Sequence, residues 1–189
     1  MTFARRVAFA VLVVATLQLG GCMFSVSPLY TAKELVYDPA LVGSWTVDTA
    51  TWKFEKAGES AYKLTLTEHG TATPAVAHLV QLGEHRFLDL CPDKSGLNPL
   101  KQADLYKNSL IPGHLFLQVL RINPSLQIKA LDEEWLSKLL EKEPKTLAHE
   151  VTDDGLVLTA DTKSLQDFML QHWNTPAAWG DATSMTKRQ

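Results

Sequence analysis

The sequence predicts a β-rich α+β fold: an antiparallel meander with two short helices near residues 132–142 and 163–173. Three observations predict it. From Leu41 to Ile128 apolar and polar residues alternate with a period of two, the period of strands. The alternating runs are short and joined by Gly-bearing turns, the pattern of strands that pair with their sequence neighbours. After Ala130 the apolar spacing changes to that of a helix face, opened by acidic residues and closed by Pro144.

The chain opens with a leader. Arg5 and Arg6 give a positive start, and an apolar run from Val7 to Leu19 follows, broken only by Thr16 and Gln18. Its 13 residues fall short of the roughly 20 that a membrane-spanning helix needs, which is the form of a secretory signal peptide. The run ends Leu19-Gly20-Gly21-Cys22. This resembles the lipobox of bacterial lipoproteins, in which the chain is cut before the cysteine and the cysteine carries lipid. The resemblance implies cleavage between Gly21 and Cys22, removal of residues 1–21 and lipidation of Cys22, with palmitate-type acyl chains as the anchor. Several buried acyl chains hold a protein firmly, at about 0.8 kcal/mol per methylene. Met23, where that family's inner-membrane proteins carry Asp, implies the periplasmic face of the outer membrane in preference to the inner membrane.

Residues 22–40 read as a lipidated N-terminus and tether, broken by Ser25, Ser27, Pro28 and Asp38-Pro39, with Leu29-Tyr30 and Leu35-Val36-Tyr37 apolar enough to dock. A single globular domain is expected over residues 41–173. Leu41 to Val47 starts it. Trp52-Lys53-Phe54-Glu55 turns at Ala57-Gly58-Glu59, and Tyr62 to Thr67 alternates apolar and polar up to the turn Glu68-His69-Gly70. Ala75–Leu82 turns at Gly83 into Arg86–Leu90. Pro92, Gly96, Pro99 and Pro112 bound a long connection, a length that loops reach when they carry function. Gly113–Ile122 is the next strand, and Leu126–Ala130 pairs back across Asn123-Pro124.

Asp132 can cap the first helix, whose Trp135, Leu136, Leu139 and Leu140 share one face. Asp153-Asp154-Gly155 predicts a hairpin between Leu147–Val151 and Leu156–Ala160. Thr162 is expected to cap the second helix, and residues 174–189 read as a polar C-terminal tail.

Gly43-Ser44-Trp45 at the first strand of such a meander resembles the lipocalin group of barrels. That likeness implies a lipocalin-like barrel in which Gly43 and Trp45 are structural: the tryptophan packs across the closed end and the glycine permits close approach. The arginine that family sets over this tryptophan has no counterpart here, because only Arg188 follows Arg121. The mature chain as a whole is similar to uncharacterised proteobacterial lipoproteins that share the Gly-x-Trp start and a Thr-Ala-x-Thr-x-x-Leu-Gln-x-Phe stretch, here Thr159 to Phe168.

The leader holds two of the 18 basic residues and none of the 21 acidic ones, so the chain from Cys22 onward carries a formal charge of −5. That balance argues against nucleic acid as a partner. Once Cys22 is lipidated, Cys91 has no disulfide partner within the mature chain and reads as a buried structural thiol. The six histidines form no metal-ligand spacing, and neither a nucleophile elbow nor a phosphate loop is present. No catalytic residue, metal or cofactor is expected; a thiol enzyme would need Cys91 beside a histidine.

The functional expectation is a membrane-anchored periplasmic lipoprotein of unspecified role, for which a small hydrophobic ligand is the first candidate. An eight-stranded barrel has room for one, and Tyr62, Leu64, Leu66, Phe87, Leu117 and Val119 would line it. Those positions serve equally as a filled core. The alternative is a protein–protein interaction module of the cell envelope, using the 92–112 connection or the helix at 132–142.

Overall fold

The computed structural model describes residues 23–93, 112–153 and 155–188. Cys22 and residues 94–111 of the long connection lie outside the described residues. Two short strands come first, β1 (Phe24–Ser25) and β2 (Leu35–Val36). The meander follows as β3 (Gly43–Val47), β4 (Ala50–Ala57), β5 (Ala61–Glu68), β6 (Thr71–Leu82), β7 (His85–Pro92), β8 (Leu115–Arg121) and β9 (Ser125–Ala130). Helix α1 (Glu133–Lys142), the hairpin β10 (His149–Thr152) and β11 (Gly155–Leu158), and helix α2 (Thr162–Gln171) separate these from a last strand, β12 (Thr183–Lys187).

Strands β3 to β9 pair antiparallel in sequence order, β6 with β7 included, and β12 fills the gap between β9 and β3. The result is a closed eight-stranded antiparallel barrel with two helices, the lipocalin-like form that Gly43-Ser44-Trp45 implied. Closure removes the sheet edges that would otherwise pair with other chains. Residues 174–188 of the expected tail are therefore not loose. Thr183 pairs with Ile128 and Lys187 with Trp45, and Met185 is fully buried among the interior side chains.

Strand alternation builds two cores from one wall. Inward-facing Trp45, Phe54, Tyr62, Leu64, Leu79, Leu88 and Leu126 are all fully buried inside the barrel. Outward-facing Val80, Leu82, Phe87 and Phe116 lie instead in a second core with Leu136 and Leu140 of α1, Leu156 and Leu158 of β11, and Leu165, Phe168 and Met169 of α2. The excursion between β9 and β12 is thus an outer layer laid over one side of the barrel. It explains why β6, β7 and β8 each carry buried apolar residues on both faces: both faces are covered.

The helix ends follow the local chemistry with one correction. The Asp132 carboxylate accepts from the Trp135 amide at 2.7 Å, as expected for the cap of α1. Helix α2 is capped by Asp161, which accepts from the Ser164 amide at 2.7 Å, and not by Thr162. The Thr162 hydroxyl donates to the Pro28 carbonyl at 2.9 Å.

The expected tether is likewise part of the folded body. Strand β1 runs parallel to β11, with Phe24 opposite Val157, and Ser25 and His114 exchange backbone bonds of 2.9 and 2.8 Å. Leu29 is fully buried in the second core, and β2 extends the sheet beside β6. The apolar residues of this segment have somewhere to go, so the polar and proline breaks between them shape a docked strap.

Candidate functional site

The barrel interior was the expected ligand site, and its base is shut by three layers of contact. Asp38 caps the 3₁₀ turn Pro39–Leu41 through the Ala40 amide at 2.9 Å, and its other carboxylate oxygen meets Arg86 Nη1 at 3.0 Å. The Tyr62 hydroxyl accepts from the Asp38 amide at 2.7 Å and donates to the Asp38 carbonyl at 3.1 Å, while its ring stacks on Tyr37 at 5.2 Å. Burial pushes the Tyr62 phenol pKa up. Above this, Trp45 lies across the barrel and donates from Nε1 to the Leu41 carbonyl at 2.8 Å.

A lysine covers that tryptophan where the lipocalin resemblance led us to seek an arginine. Lys187 Nζ sits 5.0 Å from the centre of the Trp45 ring and donates to the Ala40 carbonyl at 2.8 Å. Gly43 has φ +132, and a Cβ there would stand 2.7 Å from Lys187 Cε. The backbone favours glycine here, and a larger residue would also push the lysine tip aside. The covering residue escaped the sequence reading because it lies on the strand taken for a tail.

Five of the six expected lining residues cluster in the interior, and Phe87 does not. Tyr62, Leu64, Leu117 and Val119 belong to the inner core, with Leu66 packed against it as a half-buried neighbour. Phe87 points the other way, edge-on to Trp173 at 5.2 Å and beside Trp179 at 6.2 Å. The parity of its strand decides this: Leu88 and Leu90 take the inner face. A recess of about 260 Å³ is lined by Glu84, Arg86, Val119, Leu120, Arg121, Ile122 and Trp173, and a shallow one of about 440 Å³ by Glu143–Thr146. Neither is lined by Tyr62, Leu64 or Leu66.

The polar centre of the molecule lies on the outer wall of the barrel. Asp89 of β7 is fully buried. One carboxylate oxygen meets His114 Nδ1 at 2.7 Å and the other accepts from the Leu29 amide at 2.8 Å. His78 of β6 stands opposite Asp89 in the ladder, and its ring contacts Tyr30 at 4.5 Å. Burial lowers the His78 pKa against the smaller upward pull of Asp89, and His78 Nδ1 is buried without a hydrogen-bond partner. The Tyr30 phenol is pushed up to about 12 by burial, with Asp89 and Cys91 adding to the shift. Cys91 is two residues on from Asp89 and so faces the same outer side, half-buried where a buried thiol was expected.

Chemically, this cluster is a clamp on the N-terminal strap. Asp89 holds the Leu29 amide, Gln166 Nε2 of α2 donates to the Leu29 carbonyl at 3.0 Å, and Thr162 holds Pro28. Asp89 thus orients the His114 imidazole with one oxygen and fixes the strap backbone with the other. Among the described residues no group of three or more His, Cys, Asp or Glu side chains is arranged to hold a metal ion. Sequence reasoning missed Asp89 and His114, which are 25 residues apart across the long connection. The available signal was a single acid, Leu88-Asp89-Leu90, inside an apolar run.

No protein-family model matches the chain, and no curated protein or solved structure does so either.

Proposed function

We propose that this chain is a lipid-anchored protein of the bacterial cell envelope that acts as a protein–protein interaction module. The observation that carries the anchor is the leader: a positive start, a short apolar run and Leu19-Gly20-Gly21-Cys22 at its end. Cys22 carries the lipid, and Met23 after it favours the periplasmic face of the outer membrane. Among the described residues no helix is long and apolar enough to cross a membrane, so in this reading attachment falls to the acyl chains.

Between binding a small hydrophobic ligand and binding a protein, the packing favours the protein. The interior positions that would hold a ligand are occupied by Trp45, Phe54, Tyr62, Leu64 and Met185, each fully buried. A pocket that takes a small molecule typically offers about 300–1,000 Å³ of concave space. With the barrel as a rigid filled body, recognition falls to its surface.

Mass spectrometry of the chain purified from its native membrane tests the anchor. The expected species starts at Cys22 and carries acyl mass, and Cys22→Ser abolishes both the mass and the membrane association. A mature chain starting elsewhere, or at Cys22 without acyl mass, overturns the reading. Native mass spectrometry of the same preparation tests the choice of partner: a stoichiometric small apolar ligand retained inside the barrel would restore the ligand reading.

A further inference from the structure

We infer that the edge formed by Val151, Thr152 and Gly155 of the β10–β11 hairpin is the membrane-facing edge of the domain, resting on a zwitterionic lipid surface. The inference builds on the lipid anchor at Cys22 and adds to it an orientation. Met23 packs against the second core, and from Phe24 onward the strap is held in register. Adjacent Cα atoms are about 3.8 Å apart, so the anchored residue lies within one residue's reach of the folded body. No slack remains for the domain to stand off from the bilayer or to turn freely over it.

The register says which edge comes down. Phe24 lies opposite Val157 in a parallel pair, so the residues before them, Met23 and Leu156, are level. Leu156 is in turn paired with Val151, and one step further the hairpin closes at Thr152 and Gly155. The chain therefore meets its anchor beside this edge of the hairpin. Val151 is 78 % exposed, against 43 % for Leu120 and 39 % for Leu170, the other large apolar side chains left exposed among the described residues. It is paired with a residue of the second core and is the uncovered rim of that core. An apolar side chain at the level where acyl chains enter the bilayer is covered by the interface.

Charge selects the lipid. The exposed Glu150 precedes Val151 and the exposed Asp153 lies two residues after it, and between Thr146 and Thr162 there is no lysine or arginine. Such an edge gains nothing from anionic headgroups and is repelled by them. The strap meets the barrel at His114, next to β8, and β4 lies four places round the ring of eight from β8, on the opposite wall.

The test uses the processed, acylated full chain in phosphatidylcholine vesicles doped with a nitroxide-headgroup lipid. A fluorophore is placed at Val151→Cys and, for comparison, at Lys53→Cys on β4, both in a Cys91→Ser background checked for folding. The expected result is loss of fluorescence at position 151 and none at position 53. A Gly/Ser spacer of about ten residues, roughly 18 Å, inserted between Cys22 and Met23 should remove the difference. Hydrogen exchange of the unsubstituted chain gives the same comparison without cysteines: on vesicles, amides of 149–156 should slow relative to soluble Cys22→Ser protein while those of 51–57 do not. An acylated chain with equal quenching at both positions and no slowing at 149–156 overturns the orientation and leaves the anchor standing. A chain without acyl mass overturns the anchor. Stronger quenching at position 151 on vesicles containing phosphatidylglycerol would refute the assignment of a zwitterionic surface.

Discussion

Ending the chain after Asp181 should open the barrel. The deletion removes β12, and with it the pairs Thr183–Ile128 through Thr186–Ser125 on one side and Thr186–Thr46 and Lys187–Trp45 on the other. Met185 is fully buried, and losing a buried methionine side chain costs about 2–5 kcal/mol by itself. Lys187 over Trp45 adds about 0.5–2 kcal/mol. The exposed edges of β3 and β9 add unpaired backbone to that loss. The sum is of the order of the whole stability of a domain, about 5–15 kcal/mol. Urea denaturation followed by tryptophan fluorescence checks it, with Met185→Ala as the graded version. We expect the truncated chain to lose its cooperative transition and Met185→Ala to shift the midpoint down at unchanged slope. A truncated chain with the full-length midpoint and slope would mean that these residues are the loose tail their composition suggests.

Three further outcomes follow from the same structure. Gly43→Ala should destabilise the fold by about 1–3 kcal/mol, through strain at positive φ and through displacement of Lys187, and its thermal midpoint should fall. Asp89→Leu should cost about 3–5 kcal/mol by stranding the Leu29 amide and His114, and hydrogen exchange at residues 25–30 should accelerate before that of β4. His78 and His172 both have pKa values lowered by burial from 6.5, so the folded state holds them neutral where the unfolded state takes up protons. Stability should therefore be full above 6.5 and decline as pH falls below it, and thermal unfolding of His78→Phe/His172→Phe should show a flatter decline.

The strands that alternate visibly were legible because one of their faces meets water. Tyr62 to Thr67 and Trp52 to Glu55 read correctly for that reason. The face of Phe87 is hidden because Phe87 on one side of the wall and Leu88 and Leu90 on the other are all apolar and buried, so parity leaves little trace in the sequence. Strand β12 was hidden by the opposite difficulty: Thr-Ser-Met-Thr-Lys carries one inward apolar residue, Met185, and no period can be read from one point. The strap was obscured because its strands are two residues long and its attachment is made by side chains far away in sequence, Asp89 and Gln166. The polar cluster on the outer wall joins four separate segments, and no local spacing announces it.

The pairing of Lys187 with Trp45 has a consequence in time. It joins positions separated by nearly the whole domain, and the Lys187 ammonium bonds the Ala40 carbonyl across 147 residues. A chain made from its N-terminus can build β3 to β9 as successive hairpins, each from local neighbours. It cannot shut the ring until β12 is available. Contacts so distant in sequence slow folding, because the long loop must be closed before the contact rewards it. The seal on β12 thus acts as a clock: the barrel stays open until residues 183–187 have been made.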